Sequence, residues 1–225
     1  MSSTHDVVFL FDVDNTLLDN DRVTADLRRF LDREVGVDRS AEYFEIFETL
    51  RAELGYADYL GALQRYRERH PHQSHLLRAS SFLIDYPFAN RLFPQSLDVL
   101  ERAREHGPAV ILSDGDAVFQ QRKIERSGLM EAVSGHVLIY IHKEQELDDV
   151  RRRYPARRYV LVDDKVRILA AVKDVWGELV TTVFPKQGHY AHDPAILSRY
   201  PAADVSVDRI GELLEVDLEA LVPDG

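Results

Sequence analysis

A chain of 225 residues, 45% of them hydrophobic, is long enough for one large domain or for a domain carrying a sizeable insertion. Its formal charge of −11 argues against a general nucleic-acid binder or a binder of anionic membranes, both of which need a basic surface. There is no cysteine, which excludes disulfides, thiolate zinc sites and a cysteine nucleophile. With neither a basic leader nor an apolar run of membrane-spanning length, the expectation is a soluble cytoplasmic protein.

The first element is Val7–Phe11, five consecutive apolar residues followed at once by Asp12 and Asp14 in VVFLFDVDNTLLD. A short β-rich run of this kind reads as a strand buried on both faces. It delivers two carboxylates to the strand end where ligands bind in open α/β sheets. If strand geometry persists, alternate residues place both acids on one face. Two crowded acids repel unless a cation or a shared proton relieves them.

After Asp19 the period becomes helical. Leu27, Phe30, Leu31 and Val35 mark a first helix stopped by Gly36; Phe44, Phe47, Leu50 and Leu54 mark a second over Ala41–Leu54. A third runs over Ala57–Arg69 and a fourth over His75–Ile84, with no convincing strand between residues 20 and 90. Beyond Phe93 helices and strands alternate. Helix Gln95–His106 leads to strand Pro108–Leu112, helix Ala117–Ser127 to strand His136–Ile141, and helix Glu144–Arg153 to strand Arg158–Val162. Helix Val166–Val175 leads to strand Glu178–Phe184, then come a short edge strand Asp204–Val207 and a closing helix Arg209–Leu214. This alternation predicts an α/β fold with a doubly wound parallel sheet. The helical block, residues 20–87, then forms an inserted cap, and 1–19 with 88–225 form the core.

Chemistry-bearing residues fall at the strand ends: Asp12 and Asp14, Ser113, Lys143, and the pair Asp163-Asp164. Carboxylates with open coordination positions favour Mg2+. A hydroxyl donor and a compact ammonium suit a phosphoryl group. A carboxylate nucleophile forms an aspartyl-phosphate, while a second carboxylate protonates the leaving oxygen and then activates water.

The segment DVDNT at 12–16, the strand-end Ser113, Lys143 and Asp163-Asp164 resemble, in order, the four motifs of the haloacid dehalogenase-like (HAD) hydrolase superfamily. The run FQQRKIERSGL at 119–129 is similar to the segment that follows its second motif. The resemblance covers nearly the whole chain. It implies a Rossmann-like core of strand order 5-4-1-2-3 with a cap inserted between the first and second motifs. It makes Asp12 the nucleophile and Asp14 the general acid/base, places Ser113 and Lys143 on the phosphoryl group, and puts Asn15, Thr16, Asp114 and Gly115 beside the substrate. The metal, Mg2+, falls to Asp12, Asp14 (through its backbone carbonyl), Asp163 and Asp164, with Asp164 favoured over Asp163 as the direct ligand.

Three residues depart from the common pattern. Asn15 stands where glycine is frequent, Asp114 where asparagine is frequent, and Asp-Asp-Lys forms the fourth motif. The implied function is a Mg2+-dependent phosphatase of a small phosphorylated metabolite, monomeric or homodimeric, with no nucleic-acid or membrane partner. A 2-haloacid dehalogenase and a phosphomutase are the alternatives within the superfamily, and a phospho-accepting or non-catalytic binding module is the alternative of another class. Asp14 argues against dehalogenation, since halide leaves without a proton.

Bland readings accompany several residues. Lys123, mid-helix, is expected at the surface; Lys165 is a rival of Lys143 for the phosphate. His70, His72 and His75 read as a solvated corner more simply than as a metal site. In the loop Pro185–His192, residues Lys186, His189 and Tyr190 reach towards the mouth of the site or lie at the surface. Tyr43, Phe44, Phe47 and Tyr59 are mostly cap core.

Overall fold

The computed structural model describes residues 4–72 and 75–221, with the side chains of 75–77 outside that description. Strand β1, His5–Phe11, is followed by four helices, α1 Asn20–Val35, α2 Val37–Leu54, α3 Tyr59–Arg69 and α4 His75–Ile84. The core resumes with α5 Ser96–His106, β2 Ala109–Asp114, α6 Phe119–Ser127, the short α7 Leu129–Ala132 and β3 Val137–Tyr140. Then come α8 Leu147–Arg153, β4 Ala156–Val162, α9 Val166–Trp176, β5 Val180–Pro185, α10 Pro194–Leu197 and β6 Val205–Val207.

All six strands pair in parallel in the order β3-β2-β1-β4-β5-β6, so the expected α/β fold, its central first strand and its helical insertion are observed. Alternation along β1 divides the interior in two. Val7, Phe9 and Phe11 point into a cluster continuous with the helical insertion, whereas Val8 and Leu10 join Leu161, Ile168 and Leu169 on the opposite face.

The element boundaries differ from expectation where local chemistry decides them. The second helix starts at Val37 rather than Ala41, because Gly36 alone (φ 88°) makes the corner after α1. The expected helix over Glu144–Arg153 is divided into a 3-10 turn, Lys143–Gln145, and α8. The closing helix is a 3-10 turn, Ile210–Leu214.

The insertion packs on itself through an aromatic series. Phe30 stacks on Phe82 with ring centroids 4.5 Å apart, and Phe47 on Tyr59 at 4.6 Å. Tyr59 continues onto Phe119 of α6 at 5.0 Å, which seats the insertion against the core. The two connecting segments pair with each other: Phe93 donates its amide to the Leu17 carbonyl at 2.9 Å, and Asp19 to the Arg91 carbonyl at 2.8 Å. His70 bonds Glu42 at 2.8 Å and His72 is exposed, while the His75 side chain lies outside the described residues. No helix among the described residues is long and apolar enough to cross a membrane.

Candidate active site

Parallel pairing brings the C-terminal ends of β1, β2 and β4 level. Phe11 registers with Ile111 on one side and Val162 on the other, and Asp12 donates its amide to the Val162 carbonyl at 2.9 Å. Asp12, Asp163 and Asp164 therefore emerge side by side, all three buried, with ligand-capable oxygens within 4.8 Å of one another.

The strand stops at Phe11, before Asp12 and Asp14 are reached, and the amides of Thr16, Leu17 and Leu18 all turn back to the Val13 carbonyl. Asn15 permits the turn at φ 62°, a left-handed conformation that asparagine tolerates. Its side chain adds what glycine lacks: Asn15 Oδ1 accepts the amides of Asn20 and Asp21 at 3.0 and 3.2 Å, satisfying two orphan donors at the start of α1. Thr16 Oγ1 donates to Asp12 Oδ2 at 3.3 Å and accepts from the Asp164 amide at 3.0 Å, so one hydroxyl ties the first motif to the fourth.

Lys143 is fully buried. Its ammonium reaches Asp12 Oδ1 at 2.5 Å and the Leu112 carbonyl at 3.1 Å. It also pairs with Asp163 Oδ2 at 2.6 Å. Burial pulls the Lys143 amine down, but Asp12, Asp163 and Asp114 more than offset it and hold the ammonium protonated.

Lys165, half buried, lines the cavity above the acids. Burial lowers its affinity for a proton, and Asp12, Asp164 and Asp163 raise it by more. Ser113 Oγ is fixed by the Gln120 amide at 2.8 Å, and Asp114 Oδ1 accepts the Lys143 amide at 2.7 Å. Burial pushes the Asp114 carboxyl up against the pull of Lys143. A Cβ on Gly115 would lie 2.7 Å from Gln120 Cβ, so this close approach requires glycine.

Both oxygens of Asp164 are buried without a hydrogen-bond partner. Burial pushes its carboxyl well above the ordinary range, only partly countered by Lys165; Asp163 is raised for the same first reason against Lys143. Three carboxylates face two ammonium groups, and one carboxylate has no donor. A hard cation satisfies that set, since every available ligand is oxygen.

Lys123 is the largest departure from the sequence reading. It is fully buried rather than exposed, and its ammonium bonds Asp14 Oδ1 at 2.5 Å and Asn20 Oδ1 at 3.0 Å. Gln120 and Gln187 were also not singled out. Gln187 Nε2 donates to the Thr16 carbonyl at 3.0 Å, and its Oδ-equivalent oxygen, Oε1, accepts the Ile210 amide at 2.6 Å. A signal existed in α6: Phe119, Gln120, Lys123, Ile124 and Ser127 fall at spacings of three and four, a polar group set within an apolar stripe. Of the loop residues, His189 and Tyr190 line the cavity, and Lys186 pairs with Asp208 at 3.1 Å.

A chain with four such strand ends and a helical insertion after the first has the architecture of an aspartate-centred hydrolase. Residues 7–175 match the haloacid dehalogenase-like hydrolase family. The chain belongs to that family. A haloacid dehalogenase-like hydrolase of Burkholderia xenovorans LB400 is 65% identical over 96% of this chain and 98% of its own, with a TM-score of 0.92. YfnB of Bacillus subtilis, solved bound to magnesium, shares the fold at 15% identity, with coverage of 95% and 98% and a TM-score of 0.61. The L-2-haloacid dehalogenase of Xanthobacter autotrophicus does so at 17% identity, with coverage of 92% and 96% and a TM-score of 0.62. No curated protein matches the chain.

Proposed function

We propose that the protein is a Mg2+-dependent phosphatase of a small phosphorylated metabolite, acting through a phosphoryl group carried on Asp12. The observation that supports this most is the orphaned, buried Asp164 carboxylate beside Asp12 and Asp163. Asp12, Asp163, Asp164 and the Asp14 backbone carbonyl would hold Mg2+, which supplies charge neutralisation for the transferring group.

In the first half-reaction an Asp12 carboxylate oxygen forms a bond to phosphorus while the bond from phosphorus to the ester oxygen breaks. Asp14 donates its proton to that leaving oxygen, giving an alcohol. In the second half, water attacks the same phosphorus, Asp14 takes the water proton, and orthophosphate departs with Asp12 restored. Lys143 fixes Asp12 Oδ1 and Thr16 steadies Oδ2, so the nucleophile enters the reaction oriented. Ser113 and Lys165 face the phosphoryl oxygens as hydroxyl donor and ammonium. Lys123 occupies Asp14 Oδ1 and leaves Oδ2 for the proton in transit. Water is excluded during transfer by the helical insertion resting on α6.

Halide displacement uses no proton donor, so a dehalogenase would leave Asp14 without a task. Hydrolysis of p-nitrophenyl phosphate and of 2-chloropropionate, each with Mg2+ and with EDTA, separates the two chemistries. The phosphatase reading expects metal-dependent release from the phosphate ester alone. Chloride release from the haloacid, indifferent to EDTA, would overturn it.

A further inference from the structure

The cavity over the acids, about 260 Å³, is lined by both acidic and basic side chains. Its acidic lining residues, Asp14, Asp114 and Asp164, all belong to the reacting motifs. The lining also includes Arg51 from α2 of the insertion and Arg199 just after α10, with Tyr190 and Tyr200. Arg51 is weakly compensated: its contact with Glu48, itself largely exposed, is 3.4 Å long, and its guanidinium lies 5.3 Å from the Tyr190 ring centre. Arg199 makes no ion pair among the described residues. Arg167, by contrast, is neutralised by Glu144 at 2.7 Å and has no charge to spare.

Two under-compensated guanidinium groups therefore converge on one small cavity in a chain of net charge −11. One stands on the insertion and the other on the core. The proposed phosphoryl site is at the acids, with Ser113 and Lys165, which leaves these two arginines of the same cavity to receive a second anion on the same molecule. The planar fork of arginine matches a carboxylate through paired hydrogen bonds. The cavity lies below the usual range of drug-sized pockets, roughly 300–1,000 Å³, which favours a short leaving group over an extended one.

We propose that the substrate is a short phosphomonoester whose leaving group ends in a carboxylate, received by Arg51 and Arg199. This rests on the phosphatase reading for the acids of the cavity and assigns the arginines. It also gives the insertion a part in specificity, because Arg51 reaches the ligand only when α2 stands over the core.

The test uses non-hydrolysable probes, so that binding is read without turnover. Phosphonopropionate, propylphosphonate and ethylenediphosphonate are titrated calorimetrically, in Mg2+, into the wild-type chain, Arg51→Gln and Arg199→Gln. Hydrolysis of p-nitrophenyl phosphate by the wild type is measured in parallel. The expected result is at least about tenfold tighter binding of phosphonopropionate than of propylphosphonate, with that ratio falling about tenfold in each variant. Equal affinities, no binding of phosphonopropionate, or a preference that survives both substitutions would overturn the assignment. Tighter binding of ethylenediphosphonate would replace the carboxylate by a second phosphate and overturn the class named. Arginine-dependent binding without hydrolysis of the aryl phosphate would sink the phosphatase reading and keep the anion site; hydrolysis without arginine dependence would do the reverse.

Discussion

Lys123 Nζ stands 2.5 Å from Asp14 Oδ1, joining α6 of the core to the second acid of the first motif. The same ammonium bonds Asn20 Oδ1, and Asn20 Nδ2 donates to the Tyr59 hydroxyl of the insertion at 3.2 Å. Through one lysine, the orientation of Asp14 is linked to the seating of the helices above it. Lys123→Met removes the link and is expected to lower kcat by about tenfold or more while changing KM far less. Lys123→Arg should restore part of the loss. Steady-state kinetics with p-nitrophenyl phosphate checks this; an unchanged kcat in Lys123→Met would mean that Asp14 needs no such support.

Asp164 bears a buried carboxylate with no donor, so the metal-free protein carries a cost that the cation relieves. Asp164→Asn is expected to stabilise the EDTA-treated protein by about 1 kcal/mol or more and to abolish the rise in Tm on adding Mg2+. Thermal melts of both proteins, with and without the metal, give the four values required. A variant less stable than wild type in EDTA would contradict the account.

Asn15 serves both the left-handed turn and the start of α1. Asn15→Gly keeps the turn and loses the bonds to the Asn20 and Asp21 amides. The expected cost is about 1–2 kcal/mol in urea unfolding. Gly188→Ala attacks the same residue from the other side, because a Cβ there would lie 2.5 Å from Asn15 Cβ, on a backbone at φ 70°. It should be the more damaging to activity.

Asp21 ties α1 to the loop that carries Tyr190. His189 donates its amide to Asp21 Oδ2 at 2.9 Å, and His189 Nδ1 lies 2.6 Å from Oδ1. Burial pushes the Asp21 carboxyl up, but the bonds from His189 and Asn15 outweigh it and hold the group below its ordinary value. A depressed folded-state value contributes stability above the unfolded value, lost as pH falls through the folded one. The stability difference between wild type and Asp21→Asn should therefore be constant above about pH 5, begin to shrink near the ordinary carboxylate value of about 4, and be lost only as pH falls through the lower folded-state value. A difference that grows on acidification would reverse the sign of the argument.

The sheet was legible because its strands are short apolar runs ending in polar residues, and the period switch after Asp19 marked the insertion. Asp12, Ser113, Lys143 and the Asp163-Asp164 pair lie together because each terminates a strand, and parallel register aligns strand ends. The shared face of Asp12 and Asp14 was conditional on strand geometry, and the strand itself ends at Phe11. Lys123 was misread. Its place in the buried stripe of α6 was the one local signal, and its partners Asp14 and Asn20 lie about a hundred residues away in sequence. The arginines of the cavity wall were hidden for the same reason, Arg51 being unremarkable on its helix and Arg199 in the turn after α10.

The most direct test of the account is to trap the phosphoryl group on Asp12. The enzyme is mixed with p-nitrophenyl phosphate and Mg2+, quenched in acid during turnover and reduced with borohydride, which converts an aspartyl-phosphate to homoserine. Peptide mass spectrometry then locates the change. The account predicts conversion at Asp12 in the wild type, none in Asp12→Asn, and none when EDTA replaces the metal. Conversion at Asp163 or Asp164, or turnover that persists in Asp12→Asn, would contradict it.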